Sequence, residues 1–278
     1  MKQLLADIYK QLAGSTEYLF RGFHYASDEL IVLCMHSTPK SHLPQFEQLL
    51  DFLLQHFKPL PPEDLRSYYH GELADGPYVL FTFDDGLRNN LHAANALHMR
   101  GIHAYFFLVP GFIQSSNQAE YYQKNIRPAI NRKVDKLEED FEAMSVDEVK
   151  KLLADGHSIG VHSYTHTLHG DMNGEELQHE VIESKAALES MFACRLNSFC
   201  SINHTTHSVN AICKRMIESN YTFHFTTYPG LNAEEKKPQL IYRRNIEVHW
   251  PMGKIKFALG QADLDRWKPV VAHFQHLQ

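Results

Sequence analysis

The sequence predicts an α/β protein, a single domain in which about seven strands alternate with helices around an incomplete parallel barrel. Three observations carry that prediction. Short apolar runs rich in β-branched and aromatic residues alternate with longer segments of helical period. The 278 residues suffice for one α/β barrel, a fold that commonly takes about 200 to 250. Two clusters of chemically capable residues fall just after predicted strands, the end at which such barrels carry their sites.

The elements follow in order. Glu29 to His36 reads as a strand, and Pro44 to Phe57 places Phe46, Leu49, Leu50, Leu53 and Leu54 on one helical face. Tyr78 to Asp84 is a second strand, followed by a helix over Asn90 to Met99 that stops near Gly101; Ile102 to Val109 is a third strand. Ser145 and Glu148 form a capping box that opens a helix ending at Gly156, and His157 to His162 is the next strand. Gly174 to Phe192 has the period of one long amphipathic helix. A short strand over Asn197 to Ser201, a helix over Val209 to Ser219 and strands over Tyr221 to Thr227 and Gln239 to Val248 complete the pattern. Ser115 to Ala143 breaks the rhythm, being polar and far longer than the roughly 2 to 6 residues of an ordinary connection. It reads as an insertion over one barrel end, either a solvated excursion or a cover for the site. The expected organisation is a helical extension over 1–28 and a catalytic domain over 29–278, with the insertion at about 115–143.

Composition narrows the function. Hydrophobic residues at 44% and aromatics at 12% fit a folded globular chain, and a net charge of -6 without a basic run argues against nucleic acid as a partner. No stretch approaches the ~20 apolar residues of a transmembrane helix, and Asp7 interrupts what would be the core of a signal peptide, so the expected location is cytoplasmic. Cys34, Cys194, Cys200 and Cys213 lack CxxC spacing and read as buried apolar fillers.

The chemistry concentrates in two runs. Phe81-Thr-Phe-Asp84-Asp85-Gly86 ends an apolar strand with two adjacent carboxylates and a glycine that permits a sharp turn, although Asp-Asp-Gly alone is ordinary turn chemistry. Gly160-Val-His162-Ser-Tyr-Thr-His166 holds the only i, i+4 histidine pair in the chain. With 19 histidines, chance would supply about one such pair, so its weight comes from its place after a strand.

The ordered pair TFDDG (Thr82 to Gly86) and HSYTH (His162 to His166) resembles the first two motifs of the polysaccharide deacetylases of carbohydrate esterase family 4, the NodB-homology type. Val32 to Pro39, Phe106 to Ile113, Tyr221 to Gly230 and Tyr242 to His249 resemble that family's opening strand, its strand after the first motif and its closing segments, so the resemblance spans about residues 30 to 250. It implies a single-domain distorted (β/α)7 barrel, a divalent ion, zinc first among the candidates, held by Asp85, His162 and His166, and Asp84 as general base. Two imidazoles and a carboxylate with positions left open are a common catalytic set for such an ion. The family's general acid sits in a late Leu-x-x-His strand, of which there is no clean copy here. In the permuted layout the opening strand carries it, and Leu33-Cys-Met-His36 matches, so the resemblance implies His36, with His249, His273 and His276 as alternatives. The third motif departs: Phe199-Cys-Ser-Ile-Asn203-His204 lacks the arginine that orients the base. Arg244, ahead of Arg243, is expected to enter from the last strand in its place, and Asn203 and His204 stand where substrate is met. The resemblance thus implies a hydrolase of carbon–nitrogen amide bonds that removes N-acetyl groups from a saccharide or a nucleotide- or lipid-linked sugar. The rivals are hydrolysis of non-sugar amides or cyclic ureides on the same site, and a catalytically impaired metal-binding protein that recognises a saccharide.

Overall fold

A computed structural model of the chain describes residues 2–73, 75–129, 139–203 and 208–276. Eight strands are present among the described residues: β1 Leu30–Met35, β2 Lys58–Pro59, β3 Tyr78–Phe83, β4 Tyr105–Leu108, β5 Ser158–Val161, β6 Ser198–Cys200, β7 Phe223–Phe225 and β8 Arg243–Asn245. Every pairing is parallel, in the order β7-β6-β5-β4-β3-β1-β8, and the two residues of β2 lie beside the start of β3. A parallel bridge from Phe225 to Ile241 returns the chain just before β8 to β7, so seven strands form a nearly closed barrel with helices around it.

β1 and β3 are buried at all six of their residues, because one face meets helices and the other fills the barrel; that is why both read as unbroken apolar runs. The period of two sorts their side chains. Ile31, Leu33, Val79, Phe81 and Phe83 join the outer layer with Phe46, Leu49, Leu50 and Leu53 of the helix Leu43–Leu54. Leu30, Val32, Tyr78 and Leu80 turn inward with Phe107, Cys200 and Phe225. Continued through Thr82, the inward row brings Asp84 to the mouth.

The capping box forms as the sequence predicts, with Ser145 and Glu148 opening the helix Val146–Ala154. The single helix expected over Gly174 to Phe192 is interrupted: a π-helical stretch, Gln178–Glu183, separates Gly174–Leu177 from Ser184–Phe192. Such insertions often mark functional sites; this one carries the buried Glu180. The long last strand expected over Gln239 to Val248 contracts to three residues and the Ile241 bridge. Helices Met252–Leu259 and Gln261–Gln275 follow it, and the N-terminal helix Lys2–Arg21 packs on the first of them. No described helix is long and apolar enough to cross a membrane.

Candidate active site

Asp85 and Gly86 both take positive φ, 71° and 69°, directly after β3. This sharp turn parts two neighbouring carboxylates, leaving Asp84 in the barrel row and aiming Asp85 at the loop after β5. That loop holds two more residues in the left-handed region, Ser163 (62°) and His166 (65°). Such conformations cost of order 1 to 3 kcal/mol each and persist only where the surroundings hold them.

Asp85, His162 and His166 come together as the sequence predicts. The Oδ1 of Asp85 lies 3.0 Å from Nε2 of His166 and 3.5 Å from Nε2 of His162, with all three side chains buried. Each imidazole donates from Nδ1 to a backbone carbonyl: His162 to Cys200 and His166 to Asn125, both at 2.9 Å. Those bonds set the tautomer and leave a lone pair on each Nε2 facing the carboxylate. Neither Asp85 oxygen accepts a hydrogen bond, an arrangement that is costly for a buried carboxylate unless a cation sits among the three donors. Burial alone would raise the Asp85 pKa, but His166 and His162 hold it below the usual carboxylate range. Burial likewise opposes a charged His166, and Asp85 reverses that and lifts its pKa. The donor set therefore fits a divalent ion.

The loop that presents the histidines is gathered onto one acid. Glu180 Oε2 accepts from Ser163 Oγ (2.5 Å) and from the backbone N–H groups of Tyr164 and Thr165 (2.9 Å each), while Oε1 accepts from Thr165 Oγ1 (2.6 Å). From the other side, the insertion supplies the Asn125 carbonyl to His166, and Asn125 Nδ2 donates to the Thr165 carbonyl at 3.1 Å. Asn125 also lies in a π-helical stretch, Tyr122–Ile126. The described part of residues 115–143 therefore buttresses the loop that carries His162 and His166. Sequence reasoning missed Glu180, whose only signal is an acid within an apolar helical face.

Around Asp84 one expectation is corrected. Arg243, not Arg244, reaches Asp84: Nη1 and Nη2 donate to its two oxygens at 2.7 and 2.8 Å, and Nε donates to the Thr226 carbonyl. Strand register gives the reason. Arg243 pairs with the inward Val32, whereas Arg244 pairs with the outward Leu33. Arg244 is buried on the outer face, with Nη1 and Nη2 unpartnered. The cysteines are also more than filler. Cys34 Sγ lies 3.3 Å from Asp84 Oδ2, Cys200 Sγ 3.7 Å from either oxygen, and Arg243 Nη2 donates to Cys200 Sγ at 2.8 Å. Burial pushes the Asp84 pKa up, but Arg243 and His162 outweigh it and hold the carboxyl at about 2.

His36 ends β1 beside Asp84, with a ring nitrogen within 4.8 Å of its carboxylate. Its Nδ1 meets Glu247 Oε1 at 2.9 Å. Burial disfavours the imidazolium, yet Glu247, Asp85 and Asp84 overcome it and raise the pKa to about 10, in place of the ordinary value expected from the sequence. Glu247, which follows the last strand, was not foreseen. Of the other candidates, the Asn203 carbonyl accepts from the hydroxyls of Ser208 and Thr227, and its backbone is left-handed (58°). His204 lies outside the described residues. The His249 ring stands 6.4 Å from that of His42 and is not among the residues grouped with Asp84 or Asp85.

Residues 72–203, which include TFDDG and HSYTH, match the family described as polysaccharide deacetylase. The chain is thus similar to that family over just under half of its length. Its fold is shared by a polysaccharide deacetylase from Bacillus cereus, 17% identical with a TM-score of 0.59 over 84% of this chain and 69% of that one. The Streptococcus pyogenes deacetylase PplD in complex with acetate is 16% identical, with a TM-score of 0.62 over 84% and 98% of the two chains. IcaB from Ammonifex degensii is 20% identical, with a TM-score of 0.62 over 85% and 98%. No curated protein matches. Members of the polysaccharide deacetylase family hydrolyse N-acetyl amide bonds. The match stops before β8, so Arg243 and Glu247 belong to the part of the chain that the family description leaves uncovered.

Proposed function

We propose that the chain is a divalent-metal-dependent deacetylase that removes the N-acetyl group from a saccharide or a nucleotide- or lipid-linked sugar. The observation that carries it is the Asp85 carboxylate, buried with no hydrogen bond and faced by two Nε2 lone pairs, beside a second carboxylate that Arg243 keeps ionised. The nitrogen-rich donor set favours zinc among divalent ions. When bound there, the ion supplies Lewis-acid polarisation of the acetamide carbonyl and acidifies water.

The protein's own groups supply the rest. Asp84, with lone pairs remaining on both oxygens after the Arg243 bonds, accepts a proton from the attacking water. Cys34, Cys200 and Thr82 wall it off from solvent and strengthen the Arg243 pair. His36, kept protonated by Glu247, gives its proton to the nitrogen as the amine leaves, because an amine cannot depart as an anion at neutral pH. A neighbour of the same fold holding acetate fits release of that product.

The test is metal content and acetate release, with N-acetylglucosamine oligomers and a nucleotide-linked N-acetylhexosamine as substrates. One divalent ion per chain is expected, absent from His162→Ala, while Asp84→Asn retains it and loses about 10²-fold or more in kcat. Stoichiometric metal in His162→Ala, or full turnover by Asp84→Asn, would overturn the reading.

A further inference from the structure

The N-terminal helix wears its charges on the wrong side for a solvent-facing element. Within residues 4–19 the exposed positions are Leu4, Leu5, Ala6, Ile8, Tyr9, Gln11, Leu12, Ser15, Thr16 and Leu19, none of them charged. The charged residues of the same stretch turn toward the body. Asp7 pairs with Lys254 at 2.8 Å, Glu17 Oε1 accepts from the Gln261 N–H at 3.1 Å, and burial lowers the pKa of Lys10. The helix is held on Met252–Leu259 by close backbone contact, since a Cβ on Gly14 would stand 2.2 Å from the Gly253 carbonyl oxygen. Its inner face is therefore already satisfied, and the apolar outer face is left without a cover.

That outer face has the spacing of a helix-pairing seam. Leu5, Ile8, Leu12, Ser15 and Leu19 alternate steps of three and four, the pattern that keeps one stripe facing a partner helix. Exposures are 64% for Leu4, 59% for Leu5, 45% for Ile8, 64% for Tyr9, 64% for Leu12 and 78% for Leu19. Six large side chains so exposed present most of the roughly 800 Å² that each partner gives up in an interface of standard size. Helices that lie on a membrane surface carry Lys and Arg around the apolar stripe. Here the stripe is flanked by uncharged residues, which favours a protein surface of the same apolar kind.

We propose that this face is the interface of a twofold homodimer, in which the helix Lys2–Arg21 of one protomer packs along the same helix of its partner. A twofold axis makes one apolar stripe its own complement, so no second patch is needed.

Sedimentation equilibrium of the full chain tests the proposal. The expected mass is twice the chain's 32.1 kDa at micromolar concentration, falling toward one chain on dilution. Leu5→Glu combined with Leu12→Glu should give the monomer with helical signal and metal content unchanged. Where that variant does not fold, Leu12→Lys alone should weaken association by about tenfold or more. A wild-type chain that stays monomeric at every concentration, or a folded double variant that stays dimeric, overturns the proposal. So does co-sedimentation of the wild type with phosphatidylcholine–phosphatidylglycerol vesicles that the double variant abolishes, which would assign the stripe to a lipid surface.

Discussion

On the β5 side of the barrel mouth, His162 and His166 are set by a short loop whose backbone is gathered onto Glu180 and Asn125 through several hydrogen bonds. On the β8 side, Asp84 and His36 are each set by one long-range charged pair, Arg243 for the carboxylate and Glu247 for the imidazole. The first arrangement spreads its support over many modest bonds, each worth roughly 1 kcal/mol. The second concentrates it in groups that are costly to leave alone once buried. Single substitutions should therefore damage the β8 side in steps and the β5 side by degrees.

The largest effect is expected at His36. His36→Ala should lower kcat by about 10² to 10⁴ and leave metal content unchanged. Burial disfavours the wild-type imidazolium but Glu247 outweighs it, so the basic limb of the pH–rate profile should lie above neutrality. Glu247→Gln removes the second-largest influence on that pKa and the main one that raises it, so it should draw the limb downward while the metal stays bound. A limb that does not move in Glu247→Gln, with a near-normal rate in His36→Ala, would make the pair structural and shift the search for the acid to His249.

Next come the two adjacent arginines. Arg243→Met leaves Asp84 buried without its partner, for which about 3 to 5 kcal/mol of stability and about 10²-fold in kcat are expected to be lost. Arg244→Met removes a guanidinium whose Nη groups make no hydrogen bond and which meets Glu29 and Asp263 only through space, so a smaller loss of stability and none of turnover are expected. Thermal melts and turnover of both variants check the contrast. Equal losses in the two would show that strand parity does not assign the roles.

On the β5 side the effect should be graded. Glu180→Gln keeps the shape but weakens acceptance of four hydrogen bonds from the 163–165 loop, and loss of outer support typically costs 10- to 100-fold in metal affinity. The lower end of that range is expected, since Asn125 still holds His166, and turnover at saturating metal should stay near the wild-type rate. A variant that binds metal normally but has lost turnover would contradict the division of labour.

The same contrast explains what could be read from the chain. Asp84, Asp85, His162 and His166 are legible because each set is contiguous, sits at a strand end and depends on local turns that Gly86 and short polar residues can make. Arg243 and Glu247 act across 159 and 211 residues, and no local period encodes such partners. The choice between Arg243 and Arg244 turned on parity in a strand of three residues, too short for an alternating pattern to show which side faces in. The π-helical stretches were illegible for a related reason: each inserts one residue into an otherwise ordinary apolar period, which leaves no local signal.

The smallest effect concerns histidines outside the site, and its sign is opposite to that of His36. His157 Nδ1 accepts from the Ala104 N–H and its Nε2 donates to the Ala94 carbonyl, both at 3.2 Å, so a proton added to Nδ1 would face a donor. Burial lowers its pKa to about 4, and that of His224, whose Nε2 meets Ser201 Oγ at 2.6 Å, to about 3. An unfolded chain takes up these protons near pH 6.5 while the native chain refuses them, so their stabilising contribution is present above that pH and is lost as pH falls toward 4. For His36 the folded pKa is the higher one, so its contribution is present below about 6.5 and is lost only as pH rises through about 10. Between pH 7 and pH 5 the two buried neutral histidines should together cost on the order of 4 kcal/mol, seen as a lower melting temperature at pH 5. His157→Gln should flatten part of that acid slope and leave the alkaline behaviour untouched. If acid instead leaves the wild-type melt unchanged, these imidazoles are charged in the fold, and the framework beneath the site is wetter than the packing around Ala94 and Ala104 allows.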